Sequence, residues 1–217
     1  MNRLLTLLVA VLTLSAAEAG APVFEHPVKA DELGRIIAPA AQELARSPVL
    51  RGHFTQRKFL NGIPKPLQSN GSFIVARGQG IYWHTLQPFD SEFILTPTRM
   101  VQLDGGTTAV RLSTEQQPGL RVVGDVFFSI FNLDPTALAS NFALHALASA
   151  RGRWTMGLRP ANTTLAQVIS EAVINGGTRV EKVQLRDAHG DRTEIIMSAA
   201  KTRGGALTSA EAALFAR

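Results

Sequence analysis

The stretch at residues 71–84 constrains the fold of this chain more than any other, because its large apolar side chains recur at every second position. In its first half Phe73 and Val75 fall on one side of an extended chain, and in its second half Ile81 and Trp83 do the same. A period of two is that of a β-strand with one face against a core. The stretch therefore predicts two consecutive strands.

Six further runs have the same strand character and are separated by Gly, Asp, Asn or Pro. Short strands repeated in this way are typical of an antiparallel sheet that curls towards a barrel. The hairpin signal is clearest at residues 187–191, which lie between two of the runs. The runs are residues 92–96, 99–103, 107–112, 154–158, 180–186 and 192–197.

One helix is predicted ahead of the strands, at residues 31–47. Its apolar residues recur at positions i, i+3, i+4, i+7 and i+8, which is the stripe of an amphipathic helix. Asp31 is the expected N-cap of this helix. The pattern at residues 164–173 fits a helix and a strand equally well, so both remain open there.

A second helical region interrupts the strands at residues 125–138 and is strongly apolar. Asp125 is a candidate cap for one short helix, and Asp134 followed by Pro135 is a candidate for another. So wide an apolar face is costly on an ordinary surface helix, so these side chains either cover a core or line a pocket. The side chains concerned are Phe127, Phe128, Ile130 and Phe131.

Residues 1–19 have the composition of an export signal. Arg3 precedes an apolar run at residues 4–14, and Ala17-Glu18-Ala19 fits the site that a signal peptidase cuts. We expect cleavage after Ala19 and a single soluble domain at residues 20–217. The chain has no cysteine, so we expect no disulfide, no thiolate metal site and no lipid anchor.

A search for catalytic motifs finds none. The five histidines are scattered without metal-ligand spacing, and the chain has neither a G-x-S-x-G motif nor a glycine-rich phosphate loop. The net charge of +5 is dispersed without a basic run, which disfavours nucleic acid as a partner. We therefore expect no enzyme, no metal and no cofactor.

Several short motifs follow one another in a characteristic order: Phe54-Thr55-Gln56, Gly71-x-Phe73, Arg77 and Trp83-His84-x-x-Gln87-Pro88. Together with the apolar helical region, they resemble the LolA family of periplasmic lipoprotein carriers. The resemblance implies a mainly β (α+β) fold: a strongly curved, incomplete antiparallel β-barrel, with an N-terminal helix and a short helical lid over a hydrophobic cavity. It also implies a monomeric periplasmic carrier. Such a carrier takes acylated lipoproteins from an inner-membrane donor transporter and passes them to an outer-membrane acceptor.

The resemblance also implies which residues form the site. Arg77 is in register with a family arginine that hydrogen-bonds the lid backbone and holds the empty carrier closed. A guanidinium with five donors suits this latch, although Gly78 stands where the family commonly has proline. For the apolar residues, plain core packing stays open, because alternation identifies a face but not a hollow one. The expected cavity residues are Phe73, Ile81, Trp83, Phe93 and Leu95 from the sheet, and Phe127, Phe128, Ile130 and Phe131 from the lid.

Two alternatives concern the cargo and the partner. Carriers of this shape also serve glycolipid or polyketide-derived lipids, so the acylated cargo need not be a lipoprotein. A related curved sheet occurs in periplasmic proteins that sense lipid-borne signals and bind a membrane partner. Both alternatives remain open at the level of sequence.

Overall fold

The computed structural model describes residues 21–113, 115–116, 124, 128–199 and 205–217, and eleven strands within them form one antiparallel sheet. The expected signal peptide, Asp125 and Phe127 lie outside the described residues. The strands are β1 (Val49–Phe59), β2 (Leu67–Ala76), β3 (Gly80–Gln87), β4 (Ser91–Leu95), β5 (Arg99–Asp104), β6 (Thr107–Ser113), β7 (Phe142–Ser149), β8 (Arg153–Pro160), β9 (Ile169–Gly176), β10 (Val180–Asp187) and β11 (Arg192–Ala199).

Helices flank the sheet at both ends of the chain and interrupt it in the middle. The named helices are α1 (Ala30–Arg46), α2 (Pro135–Asn141), α3 (Thr163–Ala166) and α4 (Ser209–Ala216), with short 3-10 turns at Pro22–Glu25 and Ala150–Gly152. Residues 128–132 are also helical, and we call residues 128–133 the lid segment. The ambiguous stretch at residues 164–173 contains both structures, since α3 ends before β9 begins.

The strand order is β6-β5-β4-β3-β2-β1-β11-β10-β9-β8-β7. Strands β1 to β6 form one meander and β7 to β11 form another, and the pairing of β1 with β11 joins the two. Within the described residues β6 and β7 end the sheet without pairing with each other, so the sheet is not closed. The predicted fold class, an incomplete antiparallel barrel with an N-terminal helix, is confirmed.

Helix α1 covers one face of the sheet, which we call the inner face. Its buried residues Leu33, Ile37 and Ala40 follow the predicted helical stripe and belong to the main apolar core. The N-cap expected at Asp31 is wrong, because the helix begins at Ala30 and Lys29 precedes it. Asp31 lies instead in the first turn, where a carboxylate interacts favourably with the helix dipole.

Helix α2 connects the lid segment to the sheet and begins as predicted. The Asp134 carboxylate accepts hydrogen bonds from the backbone N–H groups of Thr136 at 3.0 Å and Ala137 at 3.1 Å. Pro135 occupies the first turn, where its missing N–H costs nothing. Leu133, between the lid segment and α2, has a φ of 49°, in the left-handed region that side chains other than glycine rarely adopt.

Two glycines let aromatic rings lie flat against the inner face. A Cβ atom at Gly71 would collide with the carbonyl oxygen of His84 and the ring of Phe54, and one at Gly52 would collide with the ring of Phe73. Phe54 and Phe73 are accordingly buried, at 3% and 2% exposure. The absence of these two side chains brings the rings close to the backbone of neighbouring strands.

Helix α4 covers the opposite, outer face. Phe215 packs there in a separate apolar cluster with Tyr82, Ile94 and Val101, which come from β3, β4 and β5. The Arg51 guanidinium of β1 donates two hydrogen bonds to the Glu211 carboxylate, from Nε at 2.5 Å and Nη2 at 2.6 Å. The hydrogen-bonded Arg51 holds the pKa of Glu211 at about 2, well below its ordinary value.

We expect Glu211→Gln to lower the free energy of unfolding at pH 7 by about 1–3 kcal/mol, because a charge-assisted bidentate pair is lost. The folded pKa of Glu211 lies below the unfolded value of 4.5, so its contribution is complete above that value and is lost as the pH falls towards about 2. Urea unfolding at pH 7, 4 and 3 should therefore show a shrinking difference between variant and wild type.

The matched control is Glu43→Gln. The Glu43 carboxylate lies 4.0 Å from Arg46 in an exposed pair on α1, so this change should cost less than about 0.5 kcal/mol at every pH. A Glu211→Gln deficit that stays constant from pH 7 to pH 3 would contradict the assignment.

Candidate functional site

The inner face of the sheet carries an apolar cavity of about 350 Å³ between the strands and the lid segment. Ten of the thirteen described residues that line it are apolar. They come from both meanders and from the lid segment, so the cavity spans the junction of β1 with β11. The lining residues are Gln56, Lys58, Ile81, Trp83, Phe93, Ile130, Phe131, Ile169, Val183, Leu185, Thr193, Ile195 and Met197.

The structure places five of the predicted cavity residues in this wall. Ile81 and Trp83 come from β3, and Phe93 pairs with Trp83 across the β3–β4 ladder. Ile130 and Phe131 come from the lid segment and lie on the other side of the space. Side chains of β3, β4 and the lid segment thus border the same space.

The other predicted residues lie elsewhere. Phe73 and Leu95 are buried in the core at 2% and 1% exposure and do not line the cavity. Phe128 packs partly against the core and borders a different, more polar depression beside Ser129. Phe127 lies outside the described residues.

Trp83 is fixed by stacking on two phenylalanines. The ring centroids of Trp83 and Phe54 are 3.9 Å apart with an interplanar angle of 26°, and those of Trp83 and Phe73 are 5.8 Å apart at 19°. Stacked aromatic pairs contribute about 0.5–1.5 kcal/mol beyond their buried area. Phe73 therefore supports a cavity residue although it is not part of the cavity wall.

Sequence reasoning missed the half of the cavity wall that belongs to the second meander. Ile169, Val183, Leu185, Ile195 and Met197 line the cavity from β9, β10 and β11. The alternation of the last four predicted strands at residues 180–186 and 192–197, whereas Ile169 lies in the stretch left open between helix and strand. Neither pattern could show which face is the inner one. The missing information is the pairing of β1 with β11, which joins positions far apart in the sequence.

Arg77, the predicted latch, lies in the turn that follows β2. Its side chain is exposed, and its backbone N–H donates a hydrogen bond to the carbonyl of Pro48 at 2.9 Å. Gly78 has a φ of 74°, which proline cannot adopt, so the proline that the resemblance implies at this position would not fit this turn. The guanidinium makes no hydrogen bond or ion pair to a described residue. The latch role remains a prediction.

A second, smaller cavity of about 110 Å³ adjoins the first. Phe131 and Met197 line both, and the smaller one continues towards Leu44 at the end of α1 and Val180 at the start of β10. The side chains of Phe131 and Met197 therefore separate two spaces that lie end to end.

The polar groups of the main cavity are confined to Gln56, Lys58 and Thr193, and Lys58 carries the only charge among the described lining residues.

His145 on β7 is not in this wall. Burial, followed by the charge of Arg159, lowers its pKa. In the described part of the chain there is no group of three or more His, Cys, Asp or Glu residues that could hold a metal ion. None of the described helices is long and apolar enough to cross a membrane.

Comparison with known proteins gives a clear family match. The family model for the outer membrane lipoprotein carrier protein LolA matches residues 46–210. The comparison with curated protein sequences gave no match.

Among solved structures, the LolA superfamily protein NE2245 from Nitrosomonas europaea is similar at 10% identity, covering 79% of this chain and 92% of that one, with a TM-score of 0.42. A putative outer membrane lipoprotein-sorting protein domain from Vibrio parahaemolyticus has 12% identity, covering 85% of this chain and 100% of that one, with a TM-score of 0.41. LprF from Mycobacterium bovis has 12% identity, covering 84% and 97%, with a TM-score of 0.35.

The cavity makes a prediction that neighbouring residues of β11 can test. Ile195 lines the cavity, whereas Ile196 is 52% exposed and lies on the outer face. Ile195→Glu should weaken binding of the uncharged dye N-phenylnaphthylamine by about tenfold or more. The reason is that an apolar dye bound in the cavity would remove water from the new carboxylate without replacing its hydrogen bonds. Ile196→Glu should bind the dye like wild type.

Fluorescence titration measures both affinities, and circular dichroism checks that both variants are folded. Equal dye binding by Ile195→Glu and wild type would show that the dye does not occupy this cavity.

Proposed function

The chain belongs to the LolA family of outer membrane lipoprotein carrier proteins, and from this premise we propose that it carries an acylated molecule between two membranes. The cargo is a lipoprotein or a related lipid whose acyl chains enter the cavity in the periplasm. An inner-membrane transporter donates the cargo, and an outer-membrane acceptor receives it.

The observation that carries the proposal is the apolar cavity beneath the lid segment. An acyl chain in water costs about 0.8 kcal/mol per methylene, so a carrier must offer a comparable apolar surface during transit. The volume of about 350 Å³ is at the lower end of the range for ligand pockets, about 300–1,000 Å³. The described cavity is therefore large enough to hold part of an acyl chain.

Longer chains need more space than this, and the lid segment can provide it. Ile130 and Phe131 project into the space that cargo would fill, and Phe131 separates the main cavity from the smaller one. Movement of the lid segment would join the two cavities. Leu133, with its left-handed backbone, lies where the lid segment meets α2 and would absorb part of this movement.

Carrying cargo requires no bond to be made or broken, and the cavity wall is consistent with this. Thr193 provides the one hydroxyl group among the described lining residues, and neither a histidine nor a carboxylate accompanies it there. Activation of a nucleophile needs such a base within hydrogen-bond reach. We propose a binding protein without catalytic activity.

For the latch, we expect Arg77→Leu to loosen the lid, leaving cargo uptake intact and impairing release to the acceptor. The family resemblance supplies the physical reason: it implies an arginine that bonds lid carbonyls and stabilises the closed, empty state, so its loss would favour the loaded state. Arg111→Leu, at an exposed position of β6, is the matched control and should transfer cargo like wild type. Normal release by Arg77→Leu would rule out the latch.

The direct test of the function is native mass spectrometry, with lipid extraction, of the protein purified from the periplasm of cells that also express its neighbouring genes. We expect a bound acylated species, whose mass would identify the cargo as a lipoprotein or another lipid. An apo protein that also fails to bind N-phenylnaphthylamine would overturn the carrier proposal. Binding of a membrane-protein segment in its place would then favour a lipid-sensing interaction protein.

A further inference from the structure

We propose that the cavity takes an anionic amphiphile, with Lys58 binding its charged head group while the chain lies against the apolar wall. This inference rests on the proposed function, that the cavity holds acyl chains. It adds the chemical class of the ligand and the residue that selects it.

The polar lining residues are grouped in one part of the wall. Lys58 of β1 is the direct cross-strand partner of Thr193 on β11, and Gln56 lies two residues before Lys58 on the same face of the strand. Directly opposite residues in an antiparallel pair have Cβ atoms about 4.5–5.5 Å apart. The ammonium, the hydroxyl and the amide therefore form one polar corner in an otherwise apolar cavity.

Lys58 has no counter-ion among the described residues. It is half-buried, makes no hydrogen bond or ion pair there, and shares the lining with no carboxylate. The carboxylate of Glu194, one residue along β11 from Thr193, lies on the outer face and is held by Arg192 at 2.5 Å and by Lys182 at 3.9 Å.

An ammonium group that lies against an apolar surface loses part of its hydration. Without an ion pair or hydrogen bond, nothing replaces the lost interactions with water. An anion bound at the same place would supply that compensation and would gain a charge-assisted hydrogen bond. The Thr193 hydroxyl and the Gln56 amide offer further, neutral donors to the same oxygen atoms. The corner thus matches a carboxylate or a phosphate head group.

The position of this corner fixes the direction of the ligand. Lys58 and Thr193 lie near the end of β1 and the start of β11, whereas Phe131 and Met197 separate the main cavity from the smaller one farther along. A chain whose head group is at Lys58 therefore points past Trp83 towards the smaller cavity. The same direction leaves the head group at the end where β1 leads into the β1–β2 loop.

A lysine at this position could also have a plainer role, in which its aliphatic stem covers the wall and its ammonium stays in water. The two roles differ in what they select. If Lys58 only covers the wall, its replacement changes the affinity for all apolar ligands equally. If Lys58 binds the head group, its replacement changes the affinity only for ligands that carry a negative charge.

The experiment measures displacement of bound N-phenylnaphthylamine by three ligands with the same chain: palmitate, palmitoyl lysophosphatidic acid and uncharged monopalmitoylglycerol. We expect wild type to bind the two anions about tenfold to a hundredfold more tightly than the uncharged ligand. Lys58→Gln should lose this preference and keep its affinity for monopalmitoylglycerol, while Lys58→Arg should retain the preference. Lys29→Gln, at an exposed position directly before α1, is the matched control and should behave like wild type.

The outcomes separate this inference from the proposed function. A preference for palmitate indicates a carboxylate head group and a preference for the lysophospholipid indicates a phosphate, and both support the proposal. Equal binding of all three ligands by wild type, or equal weakening of all three by Lys58→Gln, would overturn the head-group site and leave the carrier function standing. Failure of the dye and of every ligand to bind wild type would instead count against the carrier function itself.

Discussion

The antiparallel pairing of β1 with β11 is the constraint on which the rest of the structure depends. Each meander alone has an apolar face and two edges, and this one ladder makes a single sheet of them. The register of the ladder brings Lys58 opposite Thr193 and Phe54 opposite Met197, so the inner faces of the two halves coincide. A shift by one residue would turn one half of the cavity wall to the outer face.

The two faces of the sheet are covered by different kinds of interaction. On the outer face, α4 is held by directional contacts as well as by packing: the Arg51–Glu211 pair, and a hydrogen bond of 2.7 Å from Arg99 to the carbonyl of Phe215. On the inner face, the lid segment contributes Ile130 and Phe131 to an incompletely filled cavity. Directional bonds fix a helix in one position, whereas apolar contacts are non-directional and can be exchanged for those of a ligand. The proposed function uses this contrast, since it needs Ile130 and Phe131 to exchange their apolar contacts for those of cargo while α4 stays in place.

Sequence periodicity predicted the strands with strong alternation, because a face against a core imposes a period of two. It did not predict β7, whose three alanines and two leucines among eight residues carry little strand signal, nor α4, whose eight residues show no amphipathic stripe. Periodicity also did not predict the polar corner formed by Gln56, Lys58 and Thr193. Lys58 sits in a run of mixed polar residues, and only the long-range pairing with Thr193 gives it a place in the cavity wall. Local patterns thus identify elements and faces, but a site shared by two distant strands needs the register between them.

A carrier must also release its cargo, and the lid segment bears on how tightly the cavity can bind. Burial of a sixteen-carbon chain from water is worth about 12 kcal/mol at 0.8 kcal/mol per methylene, which would make release slow if nothing opposed it. Under the proposed function, Ile130 and Phe131 would close on the surface of Trp83 and Ile195 when the chain leaves and would recover part of that burial. A head group bound at Lys58 would add selectivity with little further apolar area, because its contribution depends on charge. Discrimination between cargoes and the strength of chain binding would then be controlled by different residues of one wall, so each could change without the other.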